Sequence, residues 1–559
     1  MCLSFYISGL ERKPSARMVA MPGEAAEDWR CRTSGQGIMR RHTKSQFQEK
    51  PELRYAKNLI RTSFFRGTMA LQIFNTMTHK KETFVPLNAG KVSMYVCGPT
   101  VYSLLHVGNF RGPIFYNLAR NWLEASGYKV DFAYNFTDVD DKIITRANTE
   151  KTTSEAISEK YIGEFKKDFN ALKLRAHTHN PKVTDSIQPI IELVGELIKN
   201  QKAYVAADGE VLYSVRSFDG YGKLSNRNLD DLEAGARVQI DPKKRDPMDF
   251  SLWKPAKPGE PKWASPWCDG RPGWHIECSA MVKSIFGETI DIHGGGTDLV
   301  FPHHENEIAQ SEGASGKTFA KIWMHNNMIT FGDKKMSKSV GNIMTAREFL
   351  EKFDGEILKF MMLSVHYRSL SDFSTQAVHI AIASLAKIYS ALCLADKMLA
   401  EAKAQGVSVG KVAVSLADAL AGAEKHAVEA LNDDFNTPEL MASLYSVIKA
   451  FNSSVRLGAK VAPEGLANAS AFHEWVLSKG KLLSLFEESP VEYLRRLDDR
   501  LLMEKALERS KIDQMVLERS TARQNKDFKK SDELRDALLN LGIAIQDSPT
   551  GTTWEVAKS

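Results

Sequence analysis

The stretch from Lys91 to Phe136 restricts the possible folds more than any other part of the chain. Lys91 to Val96 (KVSMYV) predicts a strand, Cys97 to Asn109 a loop, Arg111 to Gly127 a helix with apolar residues at Ile114, Leu118 and Trp122, and Tyr128 to Phe136 (YKVDFAYNF) a second strand. Strand, loop, helix and strand in that order make a parallel crossover. Such units build doubly wound sheets, whose ligands bind at the carboxyl ends of the strands. Cys97 and the loop around His106 fall at that edge, and Asn135-Phe136-Thr137-Asp138 offers polar groups to the same crevice.

A chain of 559 residues exceeds what one hydrophobic core organises, so several domains are expected. The α/β pattern begins at Met69 and runs to about residue 348. An insertion spans about 150–265, with a helix over Thr153 to Leu174, another around Ile187 to Gln201, and a polar, glycine-containing region through Lys243. Gly273 to Cys278 resumes the sheet-domain pattern. Beyond Phe349, long amphipathic segments such as Gln376 to Ala400 and Val412 to Val455 predict a helical bundle over 349–490. In the final region, 491–559, Leu534, Leu538 and Leu541 mark a helix stopped by Gly542. Ile543 to Asp547 and Thr552 to Val556 then flank a turn, as in a small hairpin.

The net charge of +5 carries no argument about nucleic acid, because its source is local. Residues 1–68 hold 13 Lys+Arg against 6 Asp+Glu, which leaves a slight acidic excess on the remainder. This segment has no sustained period, and its acids at Glu11, Glu24, Glu27 and Asp28 do not suit an organelle transit peptide. It is expected to be a disordered extension. No uninterrupted apolar run approaches the ~18 residues of a membrane span, so no membrane partner is expected. Six unevenly spaced cysteines do not form a disulfide framework, and thiols that must stay free suit the cytoplasm.

Four residues have metal-ligand chemistry. If Pro302 opens a helix, His303 and Glu307 lie at i and i+4 on one face and their side chains converge. Taken alone, that pair reads equally well as a solvated helix start, and Cys97 or Cys278 as a small buried hydrophobe. Their common placement at strand ends or helix starts around one crevice favours a site. Two thiolates, an imidazole and a carboxylate suit zinc.

Two further stretches suit phosphate. In His106-Val107-Gly108-Asn109 the imidazole can donate to a phosphoryl oxygen. Gly108 leaves room for backbone to approach a nucleotide, and the following helix presents free amides to an anion. Lys335-Met336-Ser337-Lys338-Ser339-Val340-Gly341-Asn342 brings two lysines and hydroxyls between Gly332 and Gly341; its alternative reading is a solvated basic turn. A soft metal site beside nucleotide-binding loops predicts an enzyme that activates its substrate with ATP while holding it on zinc.

From Met69 onward the chain resembles the cysteinyl-tRNA synthetases, members of the class I aminoacyl-tRNA synthetases. The resemblance rests on Tyr95 to Tyr102 (YVCGPTVY), Thr137 to Lys142 (TDVDDK), Asp246 to Phe250 (DPMDF), Gly273 to Met281 (GWHIECSAM), Asp291 to Asp298 (DIHGGGTD), Phe301 to Gln310 (FPHHENEIAQ) and Lys335 to Asn342 (KMSKSVGN). Val107 and Asn109 replace the second and fourth letters of the family's HIGH signature, which leaves the role of position 109 open.

The resemblance implies a Rossmann-like catalytic domain with an insertion, a helical bundle and a small anticodon-binding domain. It implies ATP-dependent formation of cysteinyl adenylate and transfer of L-cysteine to tRNA(Cys) by a monomer. Cys97, Cys278, His303 and Glu307 would hold one zinc, and Cys97, Thr137 and Trp274 would meet the substrate. His106, Gly108, Asn109 and Lys338 would bind ATP with its Mg2+. His106, Asn109, Lys335 and Lys338 would act in catalysis. Arg523, Asp532 and Asp547 match positions that read anticodon bases, with Lys526, Lys529 and Lys530 suited to phosphates. Two rival readings are a class I ligase joining cysteine to an amino sugar, which lacks the terminal module, and a noncatalytic zinc-containing RNA-binding protein, which would need neither phosphate loop.

Overall fold

The structure, a computed structural model, describes residues 70–228, 241–331, 334–335, 344–455, 460–548 and 551–558, with Phe331, Lys334 and Lys335 described by backbone alone. The expected disorder of residues 1–68 lies outside the described residues. At the centre is a parallel sheet of four strands, β1 (Lys91–Val96), β2 (Lys129–Tyr134), β3 (Ile290–Gly296) and β4 (Ala320–Asn326), in the spatial order β4-β3-β1-β2. The chain passes from β1 outward to β2, then crosses to the opposite side of β1 for β3. Strand order therefore reverses between β1 and β3, and the crevice beyond their carboxyl ends is where sheets of this kind take a ligand. The Cys97 N–H donates to Gly294 O at 3.0 Å, which ties the two strands together at that point.

Alternation along β1 decides which residue meets which helix. Val92, Met94 and Val96 join one core with Ile114, Leu118 and Trp122 of α1 (Arg111–Ala125). Tyr95 joins a second core with Ile276 and Met281 of α2 (Trp274–Phe286) and Ile308 of α3 (Glu305–Ser315). Cys97, in phase with Tyr95, is thereby carried to the face covered by α2 and α3.

The insertion departs from the sequence reading in one respect. Its helices lie where expected, at Ser154–Ala171 and Ile187–Lys199, but the glycine-containing region also contributes to a sheet. Ala203–Val205, Val211–Tyr213, Phe250–Pro255 and Gly270–Pro272 form a four-stranded antiparallel sheet. Three of these strands have only three residues, too few for period-2 alternation to register, and the last lies beyond the boundary expected at about 265.

The bundle consists of α4 (Thr375–Ala404), α5 (Val414–Asn432), α6 (Thr437–Ser454) and α7 (Pro463–Leu483), and α8 (Pro490–Glu504), which opens the final region expected from residue 491, packs against α4. The segment from Val412 to Val455 is two helices, broken where Asp434 and Phe435 take φ of 60° and 53°. Length and composition would let α4 cross a membrane, but half of its apolar stretch is buried within the molecule. Val378, Ile382, Leu385, Tyr389 and Leu392 of α4 belong to the bundle's core. The chain ends in α9 (Arg509–Gln524), α10 (Phe528–Asn540) and the antiparallel hairpin of β5 (Ile543–Ser548) and β6 (Gly551–Val556).

Candidate active site and metal centre

The four expected ligands converge. Cys97 follows β1, Cys278 sits on α2, and His303 and Glu307 flank the start of α3. Phe301 is extended (φ −140°, ψ 132°), and the helical register that follows Pro302 runs into α3. This sets His303 Nε2 3.0 Å from Glu307 Oε1 across one turn. Cys97 Sγ lies 3.6 Å from Cys278 Sγ, 3.6 Å from His303 Nε2 and 3.4 Å from Glu307 Oε1. Zinc bonds of about 2.0–2.3 Å in a tetrahedron require ligand separations of about 3.3–3.8 Å. All four ligand atoms lie within 4.8 Å of one another and are enclosed by the fold, so the donor set fits a tetrahedral metal.

The electrostatics follow from burial and crowding. Burial and the neighbouring Cys278 push the Cys97 thiol well up, whereas the hydrogen bond from Cys97 lowers Cys278 to about 6 against the opposing effect of burial. Burial lowers His303, but the Glu307 carboxylate overcomes it and raises the imidazole to about 10. Burial raises Glu307, yet His293 and His303 together hold its carboxyl well below the usual range. Metal binding would release the protons these groups carry.

Supporting residues orient the ligands, and the sequence reading had not assigned them. His293 Nε2 meets Glu307 Oε2 at 2.8 Å, leaving Oε1 for the metal. His275 Nδ1 meets His303 Nδ1 at 2.9 Å, which leaves Nε2 facing the site. Both histidines lie inside the quoted GWHIECSAM and DIHGGGTD motifs, and membership of those motifs was the signal that could have found them. Such outer partners fix ring orientation and strengthen ligand basicity. Thr137 is buried beside the site, with Oγ1 donating to Glu277 Oε2 at 3.3 Å; burial, then Cys278, raises the Glu277 carboxyl well above its usual range. Trp274 is 39% exposed and stacks on His303 with 4.3 Å between ring centres, so it forms a rim open to a ligand.

The chain that follows the second phosphate signature packs against the first. His106-Val107-Gly108-Asn109 leads into α1, and the Val107 N–H donates to Met344 O at 3.1 Å. Ala346 N–H donates to Leu105 O at 2.8 Å, so the chain leaving the second signature returns against the first. On the other side, Lys334–Lys335 pairs antiparallel with Ile329–Phe331. Met336 to Asn342, including Lys338, lies outside the described residues. A Cβ at Gly108 would stand 2.9 Å from His106 Nδ1, so a side chain there would displace the imidazole. Asn109 Oδ1 accepts the His106 N–H at 3.0 Å, so this residue closes the turn that carries the histidine.

In the terminal region, Asp547 accepts both Arg519 nitrogens, at 2.8 and 2.9 Å, and pairs with Arg523. The Arg519 hydrogen bonds hold its carboxyl well below the usual range. Asp532 is close enough to add to the charge around Arg519 and pairs with Arg535 at 3.3 Å. Of the three residues expected to touch RNA, Arg523 and Asp547 are thus engaged with each other, while Asp532 on α10 pairs with Arg535.

A doubly wound sheet with a switch-point crevice, joined to a helical bundle and a terminal module, is the architecture of the class I aminoacyl-tRNA synthetases. The same fold occurs in the methionyl-tRNA synthetase of Mycobacterium tuberculosis in complex with methionyl-adenylate, with a TM-score of 0.56 at 14% identity over 72% of this chain and 92% of that one. The family profile of the class I (C) tRNA synthetase catalytic domain matches residues 83–383, the DALR domain 427–487, and the cysteinyl-tRNA ligase anticodon binding domain 510–554. The cysteine--tRNA ligase of Bdellovibrio bacteriovorus is 55% identical over 87% of this chain and the whole of that protein, and that of Geobacter sulfurreducens 46% over the same shares. The chain belongs to the cysteine--tRNA ligase family.

Proposed function

We propose that the protein activates L-cysteine with ATP to cysteinyl adenylate and passes the cysteinyl group to tRNA(Cys). The observation that carries this reading is the convergence of Cys97, Cys278, His303 and Glu307 in the crevice that also receives the His106 loop. A zinc ion held by these four residues would supply a soft Lewis acid for the substrate thiolate, one zinc per chain. Serine gives up its proton far less readily, so a donor set built for metal separates the two amino acids. A packing pocket alone would offer only about 1–3 kcal/mol, or about 10- to 200-fold.

The remaining work is positioning and charge neutralisation. The substrate carboxylate attacks the α-phosphate of ATP and pyrophosphate leaves, so no side-chain nucleophile is needed. His106, on the turn closed by Asn109, would donate to the phosphates, which Gly108 lets approach the start of α1. Lys338, assisted by Lys335, would neutralise the leaving pyrophosphate. Trp274 and Thr137 would wall the cysteine pocket, and Arg523, Asp532 and Asp547 would meet the anticodon. Mg2+ accompanies ATP, and a monomer in the reducing cytoplasm suits the free thiols. The match of the terminal module to an anticodon binding domain disfavours an amino-sugar ligase.

The test is amino-acid-dependent pyrophosphate exchange with cysteine and with serine, paired with metal analysis. Exchange driven by cysteine and accompanied by one zinc per chain is expected. Comparable exchange with serine would refute the substrate assignment.

A further inference from the structure

We infer that Glu305, which is not itself a metal ligand, is the positioning residue through which the insertion sets how tightly His303 and Glu307 hold zinc, resting on the zinc reading proposed above. Glu305 is the first residue of α3 and lies between the two ligands in sequence. An acidic side chain at an exposed helix start would simply complement the helix dipole. Glu305 is instead fully buried.

Its carboxylate is met by a loop of the insertion. Gly222 N–H donates to it at 2.9 Å, Leu224 N–H at 3.2 Å, Ser225 N–H at 2.8 Å and Ser225 Oγ at 2.8 Å. The neighbouring Asn306 accepts from the Tyr221 hydroxyl. Gly222 takes φ +93°, and a Cβ there would stand 2.0 Å from Arg227 O, so only glycine lets the loop fold back around the acid. A buried carboxylate is tolerated only when its lone pairs are satisfied, and removing it would orphan several buried donors. Loop and helix start are therefore placed together.

The insertion grips the rest of the metal centre as well. Tyr213 Oη donates to Ala309 O at 2.7 Å, one turn further along α3. Phe250 packs edge-on against His275, which in turn touches His303. Gly273, immediately before α2, approaches Ser251 O so closely that a Cβ would stand 2.0 Å from it. The insertion thus abuts both helical segments that supply Cys278, His303 and Glu307, and the Glu305 anchor falls at the same turn as the last two. Outer supports of metal ligands are commonly worth about 10- to 100-fold in metal affinity. A support acting through backbone belongs near the lower end of that range.

The test uses the full chain loaded with one equivalent of zinc and titrated with a chromogenic chelator. Wild type, Glu305→Gln, Ser225→Ala and Lys223→Ala are compared, with Cys278→Ser as the reference for a lost ligand. Glu305→Gln is expected to yield its zinc with an affinity about 10-fold weaker than wild type, and Ser225→Ala to fall between them. Lys223→Ala removes the same loop's half-exposed ion pair with Glu312, near the far end of α3, and its contact with the Phe218 ring, neither of which touches Glu305, and is expected to match wild type. Melting of the metal-free Ser225→Ala protein should stay with wild type, which a general loss of stability would not allow. Equal zinc affinity in wild type and Glu305→Gln overturns the inference, as does a weakening in Ser225→Ala matched by a lower melting temperature of its metal-free form. If Glu305→Gln does not fold, Ser225→Ala decides by the same criteria. A wild type that holds zinc no better than Cys278→Ser refutes the zinc reading itself, and the role of Glu305 with it.

Discussion

Asp434, at the break between α5 and α6, takes the Arg368 Nε at 2.7 Å on a carboxylate sealed from solvent. The Tyr367 hydroxyl donates to it at 2.7 Å and the Phe74 N–H at 2.8 Å, so one acid joins the segment before α4 to the start of the sheet domain. Arg368 is 33% exposed and stays solvated without the acid, so the cost of removing Asp434 is that of leaving the Tyr367 hydroxyl and Phe74 N–H without their acceptor, about 1–3 kcal/mol. Asp434→Ala is expected to lose stability on that scale in denaturant titration, and Asp434→Asn less. A loss below about 1 kcal/mol would show that the pocket refills with water and the anchor is dispensable.

Cys278→Ser replaces a soft thiolate by a hard, protonated hydroxyl inside the ligand set. Zinc content and cysteine affinity should fall together, each by at least about 10-fold. ATP affinity should change little, because the His106 loop is built from different elements. Calorimetry showing equal loss for both substrates would contradict the assignment.

Lys338→Ala should slow cysteine-dependent pyrophosphate exchange by about 100-fold, the usual scale for deleting a charge that stabilises a transition state. Zinc content should not move. An unchanged exchange rate would remove this lysine from the leaving-group role.

Glu356 gives a pH dependence whose sign is fixed. It is buried in the bundle, accepts the Tyr389 hydroxyl at 2.7 Å and the Phe486 N–H at 2.9 Å, and burial pushes its carboxyl up to about 7 against the pull of Lys359. The folded chain therefore holds this proton to higher pH than the unfolded chain, where Glu titrates near ~4.3. Stability from this group is full below about pH 4 and is lost as pH rises through about 7. Relative to wild type, Glu356→Gln should gain about 2 kcal/mol more at pH 8 than at pH 5 in denaturation experiments. A gain independent of pH would mean that the carboxyl is already ionised at pH 5.

What the sequence revealed, and what it concealed, follows from the range of the forces involved. The crossover from Lys91 to Phe136 was legible because its strands and helix are long enough for their periods to show, and the hairpin at the chain's end because its turn residues are local signals. The i, i+4 relation of His303 and Glu307 was equally local. His275, His293 and Glu305 were not legible as supports, since their meaning lies in contacts with residues up to 83 positions away, such as Gly222 with Glu305. The break at Asp434 was hidden for a related reason: two residues there hold a left-handed conformation without glycine, supported by tertiary contacts rather than by composition.

Cys97 and Glu307 touch across 210 residues of chain, and that span dictates when the metal centre can first exist. During synthesis a growing polypeptide can offer only Cys97 of this ligand set, then Cys97 and Cys278, until α3 has left the ribosome. The four-residue donor set is therefore complete only once the catalytic half of the molecule has been made.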